Sequence, residues 1–135
     1  MANSVTIQLM EDGPRNCVVK FEGVLDTSDL ASTVVVDPAT LSQIDSFGNP
    51  ATQLRIDSVQ YTVEDLLSVN LFWDATTPVR IEEFVGRGVQ KPFYFGGLTN
   101  NAGAGKTGKI TATTQGPSPW AGILSFTLII KMVKQ

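Results

Sequence analysis

The chain has 135 residues, long enough to bury one core without a metal or disulfides to hold it. Ten basic and thirteen acidic side chains are spread along it for a net charge of −3, which excludes the concentrated cationic face of a nucleic-acid binder. With no histidine and one cysteine there is no Ser/His/Asp or Cys/His arrangement, no intrachain disulfide and no thiolate pair for zinc or redox chemistry.

Residues 1–5 carry no basic stretch leading into an apolar run, so no secretory signal is expected and synthesis in a cytoplasm is. Val5, Ile7 and Leu9 alternate with Thr6, Gln8 and Met10 in a first strand. It ends at the turn Glu11, Asp12, Gly13, Pro14, where glycine is expected to supply a positive φ and proline to stop the ladder. Cys17, Val19 and Phe21 mark one face of a second strand. Cys17 is expected to pack as a small hydrophobe, since no histidine activates it and only Arg15 is near in sequence. Asp26 to Asp29 reads as a turn with side-chain hydrogen bonds, because two carboxylates alone do not fill a calcium shell.

Residues 33–37, with three consecutive valines, predict a strand buried on both sides or next to a bulge, closed by Pro38. Residues 39–44 have a weak helical look, and 45–50 form a loop. In the next strand, 52–63, Leu54 and Ile56 set one phase while Val59, Tyr61 and Val63 set the other. A bulge near Asp57 and Ser58 is the repair that keeps all five off the solvent face. Glu64 and Asp65 then turn the chain into Leu67, Val69, Leu71 and Trp73, a hairpin signal.

Residues 79–84 and 91–95 predict two further strands, the second short and aromatic. From 96 to 108 the glycine-rich chain has almost nothing to bury and reads as a long exposed loop, functional or mobile. A threonine-rich strand over 109–114 and a turn over 115–119 lead into the last strand, 120–134. There Leu124, Phe126, Leu128, Ile130 and Met132 fall at every second position. That run is too short and too interrupted for a membrane helix and is expected to be a central strand. Eight or nine strands in one domain, 1–135, with no helical period, predict an all-β fold: an antiparallel β-sandwich of jelly-roll or Greek-key type.

Catalytic signals are weak. Gly103, Gly105, Lys106 and Thr107 invite comparison with the phosphate-binding loop, but Asn100 stands where its leading glycine belongs, and a strand former follows where a helix must open. The neighbouring acids Glu82 and Glu83, like Glu64 and Asp65, point to opposite faces of a strand unless a turn intervenes. Trp73, Phe93, Tyr94, Phe95 and Trp120 are candidate sugar platforms. The phase of Trp73 assigns it to the core, and Trp120 reads as a rim or interface residue.

Three stretches carry a resemblance. They are Met10 to Asn16 with Cys17 to Gly23, then Leu71 to Thr76, and Phe95 to Asn100 leading into Gly105 to Thr111. Their Asp-Gly-Pro-Arg-Asn turn, Trp-Asp-Ala-Thr segment and Phe-Gly-Gly loop before a Thr-Gly strand resemble a group of small proteins of tailed bacteriophages, in the same order over most of the chain.

The resemblance implies a non-enzymatic virion structural protein without cofactors, a capsid cement or decoration protein on the outer face of the major capsid protein lattice. Self-association, as a trimer at local three-fold positions, is implied with it; from the charge balance and the lack of a membrane-length apolar run, neither nucleic acid nor a membrane is expected as a partner. The contact residues expected for capsid or subunit are Asp12, Gly13, Pro14, Arg15, Asn16, Phe95, Gly96, Gly97, Leu98, Asn100, Lys106 and Trp120. The alternatives are a tail- or fibre-associated β-domain and a carbohydrate-binding module.

Overall fold

The computed structural model describes residues 3–92, 96–116, 120 and 122–135. Among them the chain forms nine strands: β1 (Ser4–Asp12), β2 (Asn16–Asp26), β3 (Thr33–Val36), β4 (Leu54–Val63), β5 (Ser68–Trp73), β6 (Val79–Phe84), β7 (Arg87–Gln90), β8 (Ile110–Gln115) and β9 (Ile123–Lys134). They make two antiparallel sheets, one in the order β1-β2-β9-β4-β7 and the other β3-β8-β5-β6.

Four ladders explain this order: β2 pairs with β9, β3 with β8, β4 with β7 and β5 with β6. These are the rungs of one long antiparallel hairpin whose tip is the β5–β6 turn. Rolling that hairpin adds β4 against β9 and β5 against β8 and leaves two sheets face to face, which is the jelly-roll solution. β1 is an extra strand on the outer edge of β2.

The last strand is central, as its pattern predicts. Phe126, Leu128, Ile130 and Met132 are all buried, and they meet Cys17, Val19 and Phe21 on one flank and Leu54, Ile56 and Val59 on the other. The facing sheet contributes Val69, Leu71, Trp73, Ile110 and Ala112. Gly23 stands opposite Phe126, and a methyl group added to it would run into the Phe126 ring, so the missing side chain makes room for the aromatic.

The phase change in β4 is a bulge: the register against β9 shifts between Ile56 and Ser58, so that Leu54, Ile56, Val59 and Val63 are all buried. The valine run in β3 is also bulged, between Val34 and Val36. Of the two readings it is the bulge that holds, because Val34 is exposed.

Four expectations need correction. Gly13 does not take a positive φ; the bend after β1 is closed by Gly13 N–H donating to Asn16 O at 3.0 Å. The weak helical stretch reduces to a single 3-10 turn, Pro38–Thr40, started by Asp37 accepting from Ala39 N–H. β4 and β5 are not a hairpin, because they lie in different sheets and the turn 64–67 carries the chain across the core. The seventh strand is Arg87–Gln90; Lys91 and Pro92 of the expected strand 91–95 are not in a strand, and its remaining residues, 93–95, lie outside the described residues.

Candidate interaction surface

Because the hairpin is rolled, its loops alternate between the two ends of the sandwich. One end collects the turn 13–15, the loop 37–53, the loop 74–78, the described residues 91–92 and 96–109 of the connection from β7 to β8, and the C-terminus. Of the residues expected to make contacts, Asp12, Gly13, Pro14, Arg15, Asn16, Gly96, Gly97, Leu98, Asn100 and Lys106 stand at this end. Trp120 stands at the other, and Phe95 lies outside the described residues.

Cross-links join these loops into one rim. Lys134, whose side chain is fully buried, donates to Asp12 Oδ1, to Gly13 O at 2.6 Å and to Ser42 O at 3.0 Å. Three acceptors satisfy all three ammonium protons. Ser42 N–H donates to both Asp12 oxygens at 2.9 and 3.1 Å. Burial pushes the Asp12 carboxyl up, but the bonds from Lys134 and Ser42 and the ammonium charge outweigh it and hold the group below its ordinary value. Asp12 and Gly13 thus serve the interior, whereas Pro14 and Arg15 are exposed, and Arg15 makes no ion pair among the described residues.

The glycine-rich loop is laid against the sandwich rather than free of it. Leu98 forms a two-way backbone bridge with Ile56 at 2.8 and 3.0 Å, and Asn100 is buried, its Oδ1 accepting from Ala102 N–H at 3.0 Å. Gly96 and Gly97 both have positive φ, and at Gly97 a side chain would also strike the Arg55 stem. Thr107 Oγ1 donates to Asp74 Oδ2 at 2.7 Å, and Lys106 Nζ to Gln53 Oε1 at 3.2 Å. Lys106 lines an open hollow of about 520 Å³ between this loop and the segment 50–53. Beyond Thr107 the chain runs into the antiparallel strand β8, so no helix opens behind this loop to hold a phosphate.

The sequence pattern did not single out the most exposed aromatic among the described residues of this end. Asp45 Oδ1 accepts from Phe47 N–H at 2.8 Å and Asn49 N–H at 3.2 Å, Asp45 Oδ2 accepts from Asn49 Nδ2 at 2.8 Å, and Ile44 N–H donates to Asn49 O at 2.9 Å. The bond from Asn49 and those from the loop amides hold the Asp45 carboxyl below its ordinary value. On the tip of this closed loop Phe47 is 87% exposed. An apolar ring inside a run of turn formers was the signal that could have found it.

Other candidates resolve differently. Trp73 is buried and offers no face to a sugar. Trp120 is half-buried against the core, over Gly116, at the far end. Glu83 faces Arg80 at 3.9 Å, and Glu82 Oε1 accepts from Glu83 N–H. Glu64 and Asp65 border an open depression of about 350 Å³, with Glu64 accepting from Ser125 Oγ. Cys17 is buried, which pushes its thiol up to about 11. No cluster of metal ligands occurs among the described residues. Comparisons of the chain with protein-family models, with curated proteins and with solved structures found no match.

Proposed function

We propose that this chain is a virion structural protein of a tailed bacteriophage, a capsid cement protein that grips the outer face of the major capsid protein lattice with the loop-bearing end of its sandwich. The observation that carries the reading is the rim itself. All three stretches on which the phage resemblance rests reach this end, through the turn 12–16, residues 74–76 and the loop 96–107, tied to a loop that presents a bare phenylalanine.

A ring held on a loop closed by four hydrogen bonds has little conformational freedom left to lose on docking. Burying it in an apolar socket of the lattice contributes about 2 kcal/mol. Lys106 and Arg15 on the same end add charge contacts that set orientation more than affinity. One such contact is modest. Many copies on a repeating lattice, each bound only to the assembled shell, shift assembly and disassembly together toward the shell.

The test is co-sedimentation with purified capsids of the encoding phage. The wild-type chain pellets with the shells to a saturable stoichiometry, and Phe47→Ser weakens binding about tenfold or more. A chain that stays in the supernatant at all concentrations overturns the proposal.

A further inference from the structure

A sandwich of five strands over four leaves one strand uncovered, and here it is β1. Val5, Ile7 and Leu9 stand in register with Gly23, Phe21 and Val19, so they lie on the inward face of their sheet. The opposite sheet ends at β3, one strand short, and Ile7 and Leu9 are consequently 44% and 47% exposed, with Val34 of β3 at 43% beside them. Together with Val19, Val36 and Leu41 they line an open apolar trough of about 240 Å³.

The outer edge of β1 pairs with nothing among the described residues. Free edges are ordinarily kept short or charged to prevent pairing with another chain. The other three obey this: β3 and β7 have four residues each, and β6 carries Arg80, Glu82 and Glu83. β1 has nine residues and neither a charge nor a proline from Ser4 to Met10.

We propose that β1 is the interface for a second copy of this chain, joined edge to edge as an antiparallel β1–β1 pair centred near Ile7. The occupant is identified by what the trough and edge require, which is an uncharged strand with an apolar side chain at every second position; β1 itself is that strand. The antiparallel direction is set by charge. Glu11 sits at one end of β1, next to Asp12 whose charge is paired with Lys134, so an antiparallel pair places the two Glu11 carboxylates apart, whereas a parallel pair would stack them. The pairing joins two five-stranded sheets into one of ten, with the apolar shelves adjacent on the same face. Such a contact is isologous and closes as a dimer, unlike the trimer that the phage resemblance implies.

Sedimentation equilibrium of the full chain tests this, with Ile7→Lys as the disrupting variant. The wild type sediments as a dimer, and Ile7→Lys as a folded monomer, since position 7 is half-exposed in a single copy. Ile7→Cys supplies a second readout that does not depend on the lysine variant folding: mild oxidation gives a covalent dimer faster than Gln60→Cys on the opposite sheet face, with buried Cys17 a bystander. A monomeric or trimeric wild type, a dimer that persists in folded Ile7→Lys, or cross-linking no faster than the Gln60→Cys control overturns the proposal; a partner strand other than this chain's own would give the monomer.

Discussion

Lys134 is the side chain whose environment constrains the loop end most tightly, because a fully buried ammonium is tolerated only while its acceptors stay in place. Removing the charge of one partner leaves the other buried without compensation. Asp12→Asn is therefore expected to lower stability by about 3 kcal/mol, measured by urea unfolding at neutral pH. The acid limb of the wild type depends on the same pair. A carboxyl held below its ordinary value contributes stability that is fully present above the usual carboxyl pKa of about 4 and is lost as pH falls through the lowered native value. Asp12→Asn should flatten that limb, and an unchanged limb would show that another carboxyl governs it. The turn containing Asp12 was legible in the sequence, but its partner was not, since Lys134 lies 122 positions further on and local spacing says nothing of contacts at that range. Phe47 was legible in principle, as an apolar ring among turn formers.

At the scale of strands, side-chain alternation reports which face a residue takes and not which sheet its strand joins. That is why the bulge in β4 could be read from a phase change, whereas the step from β4 to β5 looked like a hairpin and proved to be a crossing between sheets. β7 escaped for a related reason: Arg87, Gly88, Val89 and Gln90 carry no apolar alternation, and the strand exists because β4 offers it a ladder from Val59 to Thr62. The bulge gives a direct test. Deleting Asp57 forces β4 into a single register and turns either Leu54 and Ile56 or Val59 and Val63 toward solvent, so the deletion is expected to abolish cooperative folding, whereas Asp57→Gly, which keeps the extra residue, should retain it. Equal stability of the two in thermal melts would refute the phase argument.

For the molecule as a whole, rolling a hairpin separates the chain's duties. The sheets hold the core, one end gathers loops that are cross-linked yet exposed, and the uncovered flank of β1 is left for pairing. The sandwich architecture and the central place of the last strand were readable because they arise from period-two alternation. The grouping of distant loops at one end was not, because it depends on strand order. If that end is what grips a shell, Phe47→Ser should leave the melting temperature of the isolated protein within about a degree of wild type, since the ring touches no core. The most direct measurement is then the melting temperature of purified capsids with and without saturating protein. The account predicts that wild type raises it and that Phe47→Ser at equal concentration raises it less; shells that melt at the same temperature with the protein as without it would contradict the account.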